Sequence, residues 1–386
     1  MKNKRQLLIT SLALFLSANT YANQNVISQS VEELRLTKLN TVDASLVNYK
    51  AMLQFAKQWQ AVSNYAEAKQ LLLKVGTKLW SEVKAQVQSN QQYDDRPLYW
   101  QRLAVKSQLK NTPLNFSKAE LASLLEVFET VSRGYSDIDY RQSADTQIFI
   151  TGFDPFLLDR NIAQSNPSGL AALALDGNVI ELNGKQAEIN AVIVPVRYED
   201  FDQGEIESLL APIYLGGQVD LVSTVSMGRE HFDLERFPGK RRSVTAPDNL
   251  NVLSGGTKEA PIISKLAGEI LSGDEFVEFS LPVAAMQKAK GQYQVNDNLK
   301  VVTLEKGELQ PKSLSELNGL TAVSGGGGGY LSNEISYRSI RLQNQLGTKV
   351  PTGHIHTPRI KTFDDATNKA IVNQIEAMLK QAIPVI

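Results

Sequence analysis

The reactive side chains of this chain fall into three places. The first is the stretch Leu320-Thr-Ala-Val-Ser-Gly-Gly-Gly-Gly-Gly-Tyr-Leu-Ser332, in which five consecutive glycines at 325–329 lead into a helical pattern over 331–346. A short β-prone run, a glycine loop and a helix start, in that order, expose backbone N–H groups where the helix field favours negative charge. Ser332 falls in the first turn of that helix, where a hydroxyl serves either as an N-terminal cap or as a nucleophile. The second place is histidine: there are three, His231, His354 and His356, and the last two stand two apart on a strand-like run, hence on one face. The third is Glu235, in Phe232-Asp-Leu-Glu-Arg-Phe237. A serine that attacks a carbonyl needs a base to take its proton and a carboxylate to orient that base. Ser332, His356 and Glu235 supply those types, with the N–H groups of Gly328 and Gly329 as candidate oxyanion donors.

Competing chemistries are weighed on the same residues. His354 and His356 with His231 could form a three-histidine zinc site, whereas the ordinary role for His354 is a ring that only hydrogen-bonds in the structure. Gly-x-Ser-x-Gly, His-Glu-x-x-His and the glycine-rich nucleotide loops are all absent, since position 330 is Tyr and no Gly-Lys-Ser/Thr follows the glycines. No cysteine is present, which excludes disulfides and thiol chemistry. No metal or organic cofactor is expected.

A length of 386 residues is enough for about two domains, and the 42% hydrophobic and 21% charged content is that of a globular protein. A formal net charge of −1 gives no reason to expect a nucleic-acid partner. Residues 1–22 read as a secretory signal peptide: Met1-Lys-Asn-Lys-Arg5 is basic, 7–16 is apolar, and small residues lead to cleavage after Ala22. The expectation is export, to a bacterial periplasm, with no membrane span in the mature chain.

These reactive residues need elements to position them. Residues 23–144 read as a helical domain, with three- and four-residue apolar spacing over 31–60, 65–90 and 118–134. Ser117-Lys-Ala-Glu120 has capping-box spacing, and Trp59, Trp80 and Trp100 read as packing anchors. Residues 145–386 read as an α/β domain: strands over 146–151, 188–195, 219–225, 275–281, 300–304 and 320–323 alternate with helices over 168–175, 201–214, 259–271, 331–346 and 364–383. The expected fold is a three-layer α/β/α domain with a largely parallel sheet, preceded by an all-α N-terminal domain.

Across about 146–386 the chain resembles the pyroglutamyl peptidase I family, omega peptidases that remove N-terminal pyroglutamate. Thr151-Gly-Phe-Asp-Pro-Phe156 with Asn166-Pro-Ser168 is similar to its opening strand and loop. Gly228-Arg229, Leu234-Glu-Arg236 and Pro247-Asp-Asn249 match its spacing, and Ser280-Leu-Pro-Val283 with Met286 resembles its Ser-Thr-Leu-Pro segment. Val323-Ser324 through Gly328, with Tyr330, Asn333 and Tyr337, follows its nucleophile motif, and Ile355-His356-Thr-Pro358 its Ile-His-Val-Pro. The resemblance implies a nucleophile at Ser332, a base at His356, an orienting carboxylate at Glu235, and substrate contacts at Phe153, Phe156, Asn166 and Val225.

The departures are equally specific. Ser332 stands where the family has cysteine, Leu157-Leu158 where it has two glycines, Val225 where it has glutamine and Thr245 where it has arginine; the helical extension is foreign to it. The expected function is hydrolysis of an N-terminal pyroglutamyl or similar blocked residue by a Ser-His-Glu triad. The alternative is an inactive relative that binds envelope peptides, with the helical domain as a surface for a protein partner.

Overall fold

A computed structural model describes residues 27–89, 92–140 and 143–386. The signal-peptide reading of 1–22 lies outside them. The helical region comprises α1 (Val31–Val42), α2 (Tyr49–Gln60), α3 (Tyr65–Gln88), α4 (Arg96–Asn111) and α5 (Lys118–Val131). What reads as one helix over 31–60 is two, separated by a turn at Asp43, whose carboxylate takes the Ser45 N–H. Ser117 and Glu120 form the capping box that starts α5. Trp59 and Trp80 are buried, and their indole N–H groups donate to Thr112 O and Asp137 Oδ2.

The second region is built on β1 (Thr146–Phe153), α6 (Pro167–Leu175), β2 (Val179–Leu182), β3 (Lys185–Val194), α7 (Tyr198–Asp202), α8 (Glu205–Leu215), β4 (Leu221–Met227) and β5 (Phe232–Glu235). Four two-residue strands follow, β6 (Arg241–Arg242), β7 (Ile262–Ile263), β8 (Lys265–Leu266) and β9 (Glu269–Ile270), then α9 (Val283–Met286), β10 (Val295–Asn298), β11 (Val301–Thr303), β12 (Gly307–Leu309) and β13 (Ala322–Ser324). The chain ends through α10 (Leu331–Leu346), β14 (Thr352–Thr357) and α11 (Asp365–Ala382).

The main sheet has seven strands in the order β10-β5-β14-β4-β1-β3-β2. Its centre, β14-β4-β1-β3, is parallel; β2 closes one edge antiparallel, and β5 with β10 forms the other edge, antiparallel to β14. Strands buried on both faces need a layer on each side. One layer holds α6 and α11, and the core there continues without a break into Trp59, Leu72 and Trp80 of the helical region. The other holds α7, α8 and α10 over Phe149, Val192 and Val222. The fold is thus the three-layer α/β/α arrangement preceded by helices.

Several segments depart from the sequence reading, and the helix expected over 201–214 is split into α7 and α8. Residues 259–271, expected as a helix, form the short ladders β7 to β9, and 275–281, expected as a strand, is irregular. The runs at 300–304 and 320–323 contribute β11 and β13 to a separate antiparallel sheet, β12-β11-β13, rather than to the central one.

The two regions are also joined by charge. Lys84 of α3 lies 2.5 Å from Asp137 and 2.7 Å from Asp176, at the end of α6. Burial, only partly offset by Lys84, raises the Asp176 carboxyl to about 6 from an ordinary 3.8. The folded state therefore holds a proton there that the unfolded chain has lost between about pH 4 and 6, so this contribution is full below pH 4 and gone above pH 6. On raising pH from 4 to 6, wild type should lose about 1–3 kcal/mol relative to Asp176→Asn, measured by urea unfolding. A pH-independent difference would contradict the shift.

Candidate active site

Parallel pairing sets His354 beside Thr224 and His356 beside Ser226, and the antiparallel neighbour β5 carries Glu235 to the same end of the sheet. His356 Nδ1 lies 2.5 Å from Glu235 Oε1, and Glu235 Oε2 accepts from Asn298 Nδ2 at 2.6 Å. Asn298 is in register with Glu235 on β10, a partner that no sequence spacing announces. Burial pushes the Glu235 carboxyl above its usual range, while His356 and Asn298 act to lower it. When the carboxylate is ionised it is an acceptor only, so Nδ1 carries the hydrogen and Nε2 keeps its lone pair. Nε2 has no hydrogen-bond partner among the described residues. A buried carboxylate that fixes an imidazole in this tautomer is the arrangement a general base requires.

The glycine loop lies against this pair. A side chain at Gly326 would place its Cβ 2.6 Å from Glu235 Oε2, so close approach of the loop requires glycine there. Gly328 adopts φ +89°, a conformation glycine takes without penalty. Asn333 ties the loop down, accepting from Gly239 N at 2.9 Å and donating to Gly239 O at 2.6 Å.

One oxyanion expectation needs correction. Gly325 and Gly328 exchange hydrogen bonds at 3.0 Å in both directions, so the Gly328 N–H is already engaged. The Gly329 N–H donates to no protein acceptor among the described residues. The N–H groups of Leu331, Ser332 and Asn333 precede the first intrahelical bond, Glu334 N to Tyr330 O at 3.1 Å, and are unpaired in the same sense.

Ser332 is not the helix cap. The N-cap position is Tyr330, no side chain caps the helix, and Ser332 is half-buried in the first turn with its hydroxyl unengaged. The structure does not hydrogen-bond Ser332 Oγ to His356. It does place Ser332 on a small pocket with Phe153, Phe156, Asn166, Ser226 and Tyr330, enclosing about 20 Å³. That is room for roughly one water, so a larger ligand enters only if half-buried Phe156 or Tyr330 swings aside.

Of the expected substrate contacts, Phe153, Phe156 and Asn166 line this pocket and Val225 does not. Residues on a strand alternate faces. Thr224 and Ser226 point with His354 to the α10 side, and Val225 is buried on the opposite side in the core shared with α6 and α11. Asn166 also caps α6: its Oδ1 accepts from Ser168 N and Oγ at 3.1 and 2.8 Å, and Nδ2 donates to Asp154 O at 2.9 Å. One amide hydrogen is left for a ligand. Leu157 takes φ +60°, a left-handed conformation unfavourable for a side chain and natural for glycine.

A further feature of the site escapes sequence reasoning, and another, the hydrogen-bonded role of His354, agrees with it. Glu334 of α10 receives Arg242 at 2.6 Å and Arg338 at 2.9 Å, which fixes the helix from behind. His354 is enclosed by hydroxyls, with Nδ1 2.7 Å from Thr224 Oγ1 and Nε2 2.7 Å from Ser226 Oγ. Both ring nitrogens are therefore occupied, which argues against the zinc alternative. Among the described residues no group of three or more His, Cys, Asp or Glu is placed to hold a metal.

The family model for the C-terminal domain of PA0049 matches residues 147–278 and 291–361, more than half of the chain. The chain belongs to the PA0049 family. The PA0049 N-terminal domain model matches residues 17–129, so the helical region is part of the family's design. The Pseudomonas aeruginosa relative, "Uncharacterized protein PA0049", is 27% identical over 395 residues, covering 78% of this chain and 71% of that one. Among solved structures, a mutant pyrrolidone carboxyl peptidase from the hyperthermophile Pyrococcus furiosus is similar, with 18% identity, a TM-score of 0.43, and coverage of 62% of this chain and 99% of that one. Structures of the same archaeal peptidase and its cysteine-free mutant give the same values.

Proposed function

We propose that this PA0049-family chain hydrolyses the amide bond after a blocked N-terminal residue, pyroglutamyl or similar, with Ser332 as nucleophile, His356 as base and Glu235 as the group that orients His356. The observation that carries the reading is the buried Glu235–His356 contact of 2.5 Å, which leaves Nε2 free on the face that α10 covers. A hydroxyl ionises far less readily than a thiol, so it must lose its proton during attack and depends on such a base. In the reaction the Ser332 Oγ–carbonyl bond forms as its proton passes to Nε2. His356 then returns that proton to the departing amine as the C–N bond breaks. Water, giving a proton to His356, adds to the acyl carbon, and as the Oγ–carbonyl bond breaks His356 passes that proton back to Ser332 Oγ. The negative oxygen of the intermediate would be met by the Gly329 and Ser332 N–H groups. Ser332 must turn toward His356 for this, and the same pocket opening that admits a ligand supplies the occasion. Export to an oxidising periplasm gives a reason for serine, since a low-pKa thiolate there is prone to oxidation and a hydroxyl is not.

A second reading, a non-catalytic peptide-binding protein, is favoured by one observation, the missing Ser332–His356 hydrogen bond. Hydrolysis of a pyroglutamyl-aminocoumarin substrate by the wild type, Ser332→Ala and Ser332→Cys separates the two. Turnover by the wild type that drops about 10³-fold or more in Ser332→Ala is expected. Undiminished turnover in the alanine variant would remove Ser332 from the mechanism. Turnover by the cysteine variant alone would make the native protein a binder.

A further inference from the structure

Thr224 and Ser226 stand two apart on β4, and His354 faces both from β14, so a single imidazole is held between two hydroxyls. None of the three has a part in the chemistry assigned to Ser332, His356 and Glu235. All are buried, yet Ser226 borders the pocket beside Ser332. Burial, reinforced by the neighbouring His356 ring 4.9 Å away, pushes His354 well below its ordinary pKa, so the ring is neutral. A neutral imidazole has one N–H and one lone pair, so one hydroxyl must accept from it and the other must donate to it.

Two arrangements satisfy that condition with the same heavy-atom positions. In one, Nδ1–H donates to Thr224, Thr224 donates to Gly353 O at 3.4 Å, and Ser226 donates to Nε2. Ser226 then offers the pocket a lone pair. In the other, Thr224 donates to Nδ1 and Nε2–H donates to Ser226, whose own hydrogen is released to the pocket. Passing from one to the other moves one hydrogen from Nδ1 to Nε2, carried by water when the pocket opens, and rotates the two hydroxyls, with no change in net charge.

We propose that Thr224, His354 and Ser226 form the specificity element of the pocket: Ser226 makes the polar contact with the blocked N-terminal residue, and tautomer exchange in His354 lets it meet either an N–H or a C=O there. This rests on the preceding reading for the location of the substrate. It assigns the substrate class as residues whose block turns a polar amide edge toward β4, a lactam or an acyl amide, over all-carbon rings of the same size.

The test uses Ser332→Ala, so that binding is read apart from turnover. Two ring-matched ligands, pyroglutamyl-alanine amide and cyclopentylcarbonyl-alanine amide, are titrated calorimetrically. The lactam should bind about tenfold more tightly, the effect of one hydrogen bond. Adding Ser226→Ala should erase that difference by weakening the lactam alone, and Ser226→Thr should keep it. In ¹⁵N spectra, lactam binding should shift the His354 ring signals, and Ser226→Ala should remove the shift. Discrimination that survives Ser226→Ala, equal weakening of both ligands, or no binding by either overturns the proposal. A protein that discriminates but does not hydrolyse would sink the hydrolase reading and leave this one standing. Hydrolysis with discrimination indifferent to Ser226 would do the reverse.

Discussion

Arg102→Ala is expected to destabilise the protein by about 3–5 kcal/mol, the usual cost of stranding one partner of a buried ion pair. Arg102 is wholly buried in α4 and donates to Asp154 Oδ1 at 2.8 Å, while Arg133, just beyond α5, reaches Asp154 Oδ2 at 2.8 Å. Burial acts to raise the Asp154 carboxyl, but Arg102 and Arg133 outweigh it and hold it below the usual range. Glu129 extends the set, with Arg197 at 2.6 Å and Arg133 at 3.1 Å, and Arg197 continues to Glu32 of α1 at 2.8 Å. The chain of charge runs from the helical region to the end of β1, and Asp154 is the residue after Phe153 of the pocket. Its carbonyl also receives Asn166, whose N–H is in turn held by Asp95 at 2.9 Å. The helical region therefore buttresses the wall of the candidate site. Since a domain has only about 5–15 kcal/mol of net stability, the loss should appear as a large shift of the urea midpoint. A change under about 1 kcal/mol would mean that water reaches Arg102 and that the helices are not docked as described.

The same network shows why part of the molecule was illegible in the sequence. Arg102, Lys106 and Lys110 recur every four residues along α4 and look like an exposed face, so nothing marked 96–111 as a buried helix. They are buried because Asp154, Glu129 and Glu33, far apart in sequence, converge on them. By contrast α10 was legible to the residue, since its own periodicity and the glycines before it define it, and β14 was legible as a strand-like run carrying His354 and His356. The 259–271 segment shows the limit of that method: apolar spacing suited a helix, but its backbone is engaged in short ladders with neighbours such as 241–242. Val225 failed for another reason. Alignment gives a position and not a face, and one residue along a strand moves a side chain from the pocket to the opposite core. The Glu235–His356 contact came from the family resemblance, while Asn298, which steadies Glu235, depended on a β5–β10 pairing that neither short strand signals.

Glu235→Gln should lower turnover by about 10³–10⁴-fold, the scale for a triad whose imidazole is held in the wrong tautomer, with little change in substrate binding. The amide is close to the carboxylate in size, so the fold should persist, and the effect is one of proton placement. Asn298 donates to the Oε2 position at 2.6 Å, which requires an acceptor there. The substituted amide would satisfy Asn298 with its oxygen and would then turn its NH₂ toward His356 Nδ1. That nitrogen would have to accept, which moves the ring hydrogen to Nε2 and removes the base. Adding Asn298→Ala to Glu235→Gln frees the amide to rotate and present its oxygen to Nδ1, so part of the lost activity should return. Rescue of this kind is not expected if Glu235 merely packs. Burial holds the Glu235 carboxyl above its usual range, so activity should fall on the acid side as Glu235 takes up a proton, which would reproduce the defect of the amide variant. Turnover by Glu235→Gln within about tenfold of wild type would remove the orienting role and, with it, the main support for a serine mechanism at this site.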